Sequence, residues 1–133
     1  MINFPEPDDK RCLQLLEASR PYLESLSNEM KIDYVQPDYF QKIVVPLSVY
    51  LLNLPEREKP YFFGLNGGQG SGKTTLSDFV QVVLSDVSNK SVTGFSIDDI
   101  YKTREEREKQ SKEIHPLCKV RGVPGTHDIQ MGL

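Results

Sequence analysis

A glycine-rich stretch at residues 67–74, which reads GGQGSGKT, constrains the fold of this chain more than any other feature. It matches the spacing G-x-x-x-x-G-K-[ST], in which each fixed position has a physical task. Glycines let the backbone turn tightly and point consecutive N–H groups at an anion. Lys73 would reach the terminal phosphates of a nucleotide, and the Thr74 hydroxyl would bind magnesium. The stretch predicts a phosphate-binding loop, with a helix that begins near Lys73.

The segments on either side of the loop support this interpretation. Residues 61–65 form an aromatic and aliphatic run behind Pro60, which is typical of a strand buried on both faces. After the loop, apolar residues recur at helical spacing and predict an amphipathic helix packed on that strand: Leu76, Phe79, Val80, Val83 and Leu84. A flexible glycine linker is the alternative, but it does not explain why strand, loop and helix follow in this order.

A second predicted strand, at residues 92–97, ends in the adjacent carboxylates Asp98 and Asp99. In open parallel sheets, ligands bind outside the carboxyl ends of the strands, and the loop and this acidic pair both lie at such ends. A carboxylate there can orient an attacking hydroxyl, accept its proton or hold magnesium through water. A pair of solvated turn aspartates is the alternative interpretation.

Helical patterns precede the loop. Asp8 or Asp9 can cap a first helix, and Pro21 is expected to open a second helical turn. A stronger apolar face follows at residues 38–54. Pro46 lies inside this face and predicts a kink or a break. This helical region is interpreted as a layer that covers the sheet, with a substrate-side subdomain as the alternative.

The predicted fold is α/β, with a P-loop NTPase-type parallel sheet flanked by helices. A charged, proline-bounded linker at residues 55–60 separates an N-terminal helical segment, 1–55, from the loop-bearing domain, 56–133. Only two strands are recognisable, whereas a typical sheet has about five or six. We therefore expect this sheet to be incomplete in the chain. A missing C-terminal region, or a second chain, would complete it.

Two segments after the acidic pair carry further polar candidates. Thr103 and Glu106 predict a capping box that starts a charged, solvated helix, of which Arg104 is the member selected for a functional role. The segment 121–128 reads RGVPGTHD, and its polar side chains could bind a small anionic or hydroxylated substrate. A turn followed by a helix N-cap, at Thr126 or Asp128, is the alternative for this segment.

Composition limits the remaining classes of function. No apolar run in the 133 residues approaches 18, so neither a membrane span nor a membrane partner is predicted. Residues 1–6 lack the features of a secretory signal, and the two cysteines, Cys12 and Cys118, favour a reducing cytoplasm over a disulfide framework. The formal net charge of -3 argues against nucleic acid as the partner.

Three motifs together resemble the plant- and fungal-type D-glycerate 3-kinases, and more broadly the P-loop kinases that include pantothenate kinase, uridine kinase and phosphoribulokinase. The motifs are residues 67–74, the segment SIDDIY at 96–101 and the segment RGVPGTHD at 121–128. Those families have a strand-end Asp, a variable residue and an aromatic pair or its equivalent. Asp98 occupies the Asp position, and Ile100 with Tyr101 replaces the aromatic pair.

The resemblance implies an ATP-dependent kinase that transfers phosphate to an alcohol group of a small metabolite, with D-glycerate as the leading acceptor. Asp98 and Lys73 would be catalytic, and Thr74 and Asp98 would hold Mg²⁺. The residues expected to bind ATP are Gly67, Gly68, Gln69, Gly70, Ser71, Gly72, Lys73, Thr74 and Thr75. The residues expected near the substrate are Asp99, Tyr101, Arg104, Arg121, His127 and Asp128.

The sequence also departs from these kinases. The families continue with further strands, a second acidic segment and a basic lid over the phosphates, none of which is recognisable here. The resemblance therefore covers the N-terminal part of such a kinase only. The alternative function is a nucleotide-binding fragment or regulatory module that has no catalytic activity on its own.

Overall fold

The computed structural model describes residues 4–36 and 38–131. These residues form two compact units, one that ends at Gly94 and one that begins at Phe95. The helices of the first unit are α1 (Lys10–Glu29), α2 (Val45–Leu52) and α3 (Lys73–Val82), with π-helical turns at Phe40–Val44 and Val83–Val87. The second unit contains α4 (Arg104–Glu113) and 3-10 turns at Ile97–Ile100 and Pro116–Lys119. No helix in the described ranges is both long enough and apolar enough to cross a membrane.

Helix α1 begins at one of the two predicted caps. The Asp9 carboxylate accepts a hydrogen bond from the Arg11 N–H at 2.8 Å, as expected of an N-cap residue. The helix then continues through Pro21, so the prediction that a new helical turn opens at this proline is wrong. Both Pro21 and Glu17, whose carbonyl loses its usual donor, are exposed. Water can therefore satisfy that carbonyl, and the helix continues.

The apolar stretch predicted at residues 38–54 is helical, and its geometry changes next to Pro46. The chain forms a π-helical turn at Phe40–Val44 and becomes α-helical at Val45, where the Val45 N–H donates to the Phe40 carbonyl. Pro46, which has no N–H to donate to the preceding turn, lies in the first turn of α2, directly after the π-helical turn. The predicted break thus takes the form of a change in helix type.

The core of the first unit is helical. Phe79 of α3 is fully buried, and its ring packs edge-on against Phe40 with 5.1 Å between the ring centroids. Val80 of α3 and residues of α1, α2 and the π-helical turns complete this core, including Cys12, Leu16, Leu23, Val44, Val45, Leu47, Val49, Val83 and Leu84. The predicted amphipathic helix after the loop is confirmed. Its apolar face packs against helices, whereas residues 61–65 are exposed.

Neither predicted strand has a ladder partner within the described residues. Residues 60–66 and 91–96 adopt no regular secondary structure, and the β-pairing found in the described ranges is one isolated antiparallel bridge, between Tyr101 and His127. Phe62 is 88% exposed and Phe95 is 70% exposed. Strands of a parallel sheet need neighbours at their edges and cover on both faces. The P-loop-type sheet therefore stays a prediction.

The second unit contains the predicted capping box. The Thr103 hydroxyl accepts from the Glu106 N–H at 3.3 Å, and the Glu106 carboxylate accepts from the Thr103 N–H at 2.8 Å. Helix α4 begins after this box, as predicted, and extends to Glu113. The expected cap at Asp128 forms on a turn, since its carboxylate accepts from the Met131 N–H at 3.1 Å, and residues 126–131 contain the bridge and turns but no helix. The Thr126 hydroxyl instead donates back to the Val123 carbonyl at 2.6 Å.

The capping box predicts how α4 responds to acid. The hydrogen bond from the Thr103 hydroxyl, with a smaller contribution from the Thr103 N–H, lowers the pKa of Glu106 below its ordinary value of 4.5. Because the folded-state pKa is the lower one, the stabilisation is fully present above pH 4.5 and is lost as the pH falls through the folded-state pKa. An NMR titration should therefore show the Thr103 amide signal changing at a pH below 4.5.

The neighbouring carboxylate offers a matched control for this titration. Glu105→Gln, at an exposed position in the same helical turn, should leave the Thr103 titration intact, whereas Glu106→Gln should abolish it. A Thr103 signal that still titrates in the Glu106→Gln variant would show that another group is responsible.

Candidate functional site

The phosphate loop enters α3 through glycines with left-handed backbone geometry. Gly70 has φ +75° and Gly72 has φ +80°, a region that residues with a side chain rarely adopt. Gly72 is the N-cap of α3, and within the described chain no heavy atom lies within 4 Å of the position that a Cβ would occupy there. The backbone at the start of α3 is therefore accessible to a ligand.

The first turn of α3 presents hydrogen-bond donors that have no partner in the protein. The Leu76 N–H donates to the Gly72 carbonyl at 2.9 Å and closes the turn. In the described residues, no oxygen accepts from the N–H groups of Lys73, Thr74 or Thr75. The positive end of the helix dipole lies at the same place. Free N–H groups at a helix N-terminus, preceded by a glycine loop, fit a phosphate group.

The two side chains expected to act on the phosphates and the metal lie at this turn. The Lys73 ammonium donates to the Gly68 carbonyl at 2.8 Å, so it lies across the loop. Gly67 is packed closely beneath it, because a Cβ there would lie 2.8 Å from the Ser71 hydroxyl and 3.6 Å from the Lys73 side chain. Thr74 is exposed, and its hydroxyl forms no hydrogen bond with any described residue. It is free to bind a cation.

The donor set fits magnesium better than a metal enclosed by protein ligands. Within residues 4–36 and 38–131, no group of three or more His, Cys, Asp or Glu side chains is placed to hold a metal ion. Magnesium usually retains several waters and is bound by one or two carboxylates together with the phosphates of its substrate. In a glycine-rich phosphate loop a Ser or Thr hydroxyl contributes a further ligand, and Thr74 stands at that position.

In the second unit, the structure distinguishes the two adjacent aspartates. Both lie in the 3-10 turn Ile97–Ile100, which begins at Ser96. The Asp99 carboxylate accepts from the Ser96 N–H at 2.8 Å and so caps this turn. The Asp98 N–H donates to the Ser96 hydroxyl at 3.2 Å, but the Asp98 carboxylate is bonded to none of the described residues. Asp98 is exposed and remains the candidate base, while Asp99 has a structural role.

Three of the predicted substrate residues lie together in the second unit. The Tyr101 and His127 rings stack with centroids 3.9 Å apart and planes inclined by 25°. The Arg121 guanidinium carbon lies 5.2 Å from the centroid of the Tyr101 ring. Two backbone hydrogen bonds hold the stack: the Lys102 N–H donates to the Thr126 carbonyl at 2.9 Å, and the Asp128 N–H donates to the Ile100 carbonyl at 2.7 Å.

This cluster contains a polar atom without a partner. The Nε2 atom of His127 is buried, and no group in the described ranges forms a hydrogen bond with it. An unsatisfied buried polar atom costs about 1–3 kcal/mol. The Arg121 guanidinium lies over the Tyr101 ring of the same cluster. The unsatisfied Nε2 atom and this cation mark the cluster as a candidate binding site for a small polar ligand.

The other predicted substrate residues are engaged elsewhere. Arg104 donates to the Glu108 carboxylate at 3.0 Å on the solvent face of α4, where the Arg104 side chain is 83% exposed. This contact lowers the pKa of Glu108. The Asp128 carboxylate accepts from the Met131 N–H at 3.1 Å and caps the final turn. Arg104 thus lies on the solvated face predicted for this helix as a whole, and no contact in the described residues joins it to the Tyr101 cluster.

One residue of this region was missed by the sequence reasoning. Arg107 of α4 donates to the carbonyls of Lys102, at 3.1 Å, and Lys119, at 2.7 Å. In the sequence it is one charge in an alternating run, which predicts only a solvated face. Its acceptors are backbone carbonyls, which every residue has, so no residue pattern could have revealed the contact.

Comparison with known proteins gives two partial relatives. No protein-family model matches the chain, and no solved structure matches it. "Uncharacterized kinase mug58" of Schizosaccharomyces pombe is 39% identical over 90 residues, which cover 65% of this chain and 32% of that protein. "Probable ATP-dependent kinase TDA10" of Saccharomyces cerevisiae is 36% identical over 76 residues, which cover 54% of this chain and 26% of that protein.

These matches define what the chain is similar to. It spans at most about a third of the length of the curated relatives it matches. Both relatives are named as kinases, and the second is named as ATP-dependent. The chain is therefore similar to part of two fungal proteins that are named as kinases.

Proposed function

We propose that this chain is the nucleotide-binding part of an ATP-dependent kinase that phosphorylates a hydroxyl of a small metabolite, D-glycerate. The observation that carries the proposal is the glycine loop leading directly into α3, whose first N–H groups, at residues 73–75, lack acceptors in the described protein. The names of the two relatives support the reaction class. The choice of D-glycerate rests on the motif resemblance. The low cysteine content supports a cytoplasmic location.

The residues of the first unit would bind the nucleotide. Bound Mg-ATP supplies the phosphoryl group, with the metal neutralising phosphate charge. The N–H groups of residues 73–75 would donate to phosphate oxygens, and the Lys73 ammonium would exchange its Gly68 carbonyl for a phosphate. The Thr74 hydroxyl would bind the metal. These N–H groups bind an anion more strongly than they bind water, because the positive end of the helix dipole adds to their partial charges.

The residues of the second unit would act on the acceptor. The Asp98 carboxylate would accept the proton of the acceptor hydroxyl, or hold the metal through water. Its lack of a bonding partner in the described residues supports this role. Arg121 and His127 would bind the acceptor carboxylate, with Tyr101 as the stacking surface. A hydroxy acid suits these residues, because its hydroxyl needs a base such as Asp98 and its carboxylate needs a cation such as Arg121.

The second candidate function is a nucleotide-binding module without catalysis on its own. It is favoured by the exposed segment 61–65, which includes Phe62 at 88% exposure. Such a segment can become a buried strand once another part of a sheet covers it. We propose that a further region of the protein, or a second chain, supplies those strands and completes a P-loop-type parallel sheet.

Calorimetry followed by an ADP-release assay separates these functions. The chain should bind Mg-ATP, and D-glycerate should stimulate ADP release, with L-glycerate as a control of the same charge and composition. Binding without acceptor-dependent ADP release would support the module. ADP release that is equal with and without acceptor would indicate nucleotide hydrolysis instead. A chain that binds no Mg-ATP would contradict both functions.

A further inference from the structure

The side chain of Arg107 connects two separate segments of the second unit. Its Nε donates to the Lys102 carbonyl at 3.1 Å, and its Nη1 donates to the Lys119 carbonyl at 2.7 Å. The side chain is half-buried, as are those of Glu108, Gln110 and Ser111 in the same helix. A guanidinium is planar and carries its donors in a rigid fork, so two acceptors bound to it are held at a fixed separation.

Both carbonyls lie within two residues of the cluster formed by Tyr101, Arg121 and His127. Lys102 follows Tyr101, and its N–H is already bonded to the Thr126 carbonyl at 2.9 Å, beside His127. Lys119 precedes Arg121 by two residues. Arg107 therefore joins the segment that carries the Tyr101 ring to the segment that carries the Arg121 guanidinium. No other side chain in the described residues donates hydrogen bonds to both segments.

We infer that Arg107 is a positioning residue, which holds Tyr101 and Arg121 at the separation needed to bind the anionic end of the acceptor. The inference rests on the proposed function and deepens it. The Tyr101 ring contacts His127 at 3.9 Å and Arg121 at 5.2 Å, so a shift between the two segments would separate the groups that bind the carboxylate. Misplacement of a bound substrate by about 1 Å can lower a rate by about 10²-fold.

Arg107→Ala and Arg107→Lys test the fork and the charge separately. Lysine keeps the positive charge, but its single nitrogen cannot reproduce the planar pair of donors. Both variants should therefore lose the positioning effect. Lys112→Ala is the matched control, since it removes a positive charge from the exposed face of the same helix. Circular dichroism would establish that α4 still forms in each variant.

The first readout is the NMR signal of the Arg121 side chain in the full 133-residue chain. The Arg121 guanidinium carbon lies 5.2 Å from the centroid of the Tyr101 ring, so the ring current of Tyr101 shifts nearby side-chain protons of Arg121 to high field. We expect this shift to be lost in Arg107→Ala and Arg107→Lys and retained in Lys112→Ala. An unchanged shift in folded Arg107 variants would overturn the inference. This measurement does not depend on kinase activity.

The second readout is binding of D-glycerate and Mg-ATP, measured separately by calorimetry. D-glycerate affinity should fall about tenfold in both Arg107 variants, as for the loss of one good hydrogen bond, with Mg-ATP affinity unchanged. Full D-glycerate affinity in Arg107→Lys would mean that charge alone matters, and would overturn the inference. If the unmodified chain binds no D-glycerate, the proposed acceptor is wrong, and the Arg121 signal alone decides whether Arg107 holds Tyr101 and Arg121 together.

Discussion

Replacement of Asp98 by asparagine is expected to lower the rate of D-glycerate-dependent ADP release by about 10²–10⁴-fold, the usual contribution of a general base. Asparagine keeps the size of the side chain and can still accept hydrogen bonds, but it cannot take a proton at neutral pH. The Asp98 carboxylate is exposed and bonds to no described residue, so its replacement should not disturb the 3-10 turn. Mg-ATP affinity should remain close to that of the unmodified protein.

Two further variants serve as comparisons for Asp98→Asn. Asp33→Asn removes an exposed carboxylate from a bend in the first unit and should leave turnover unchanged. Asp99→Asn should weaken the 3-10 turn, because Asp99 caps it through the Ser96 N–H. Unchanged turnover in Asp98→Asn would remove Asp98 from the mechanism. A raised magnesium requirement with modestly lower turnover would identify Asp98 as a metal-binding group instead of the base.

Replacement of Lys73 by alanine is expected to weaken both nucleotide binding and turnover. A hydrogen bond to a charged group contributes about 1.5–3 kcal/mol, so Mg-ATP affinity should fall roughly ten- to a hundredfold. Turnover should fall as well, because in the proposed reaction the ammonium would also stabilise the charge that develops on the transferred phosphoryl group. Calorimetry measures the first effect, and the ADP-release rate at saturating Mg-ATP measures the second.

Lys90→Ala provides the control for this charge change. Lys90 is an exposed lysine of the same unit, and its replacement should affect neither quantity. The Lys73 variant should remain folded, because the residue contributes a half-buried side chain at the start of α3 and no part of the apolar core. Retention of full Mg-ATP affinity by Lys73→Ala would contradict the assignment of residues 67–74 as a nucleotide site.

Features that depend on neighbours in the sequence were predictable. The start of α3 at Lys73, the Asp9 cap and the capping box of Thr103 and Glu106 all follow from patterns within a few residues. Pro21 shows the limit of such patterns. Its effect on α1 depends on whether the orphaned carbonyl of Glu17 meets water, which is a property of the packed structure.

The candidate site was predicted in its residues more fully than in its geometry. The residue pattern alone left the adjacent Asp98 and Asp99 undivided, and the family resemblance selected Asp98; the hydrogen bond from the Ser96 N–H to Asp99 adds a structural distinction between them. The stack of Tyr101 on His127 joins positions 26 residues apart, a separation at which local patterns give no information. The predicted sheet also depends on non-local pairing, and the described residues supply no ladder for it.

The glycine at the start of α3 has a consequence for thermal stability. Side-chain caps at this position satisfy helix N–H groups, and glycine is weaker than the best of them by about a few tenths of a kcal/mol. Gly72 has no side chain, so the first N–H groups of α3 donate to solvent unless a bound anion accepts from them and acts as the cap. A ligand that binds only the folded chain raises its free energy of unfolding by RT ln(1 + [L]/Kd). The melting temperature of the first unit should therefore depend on nucleotide concentration, because one ligand both fills the site and completes the helix.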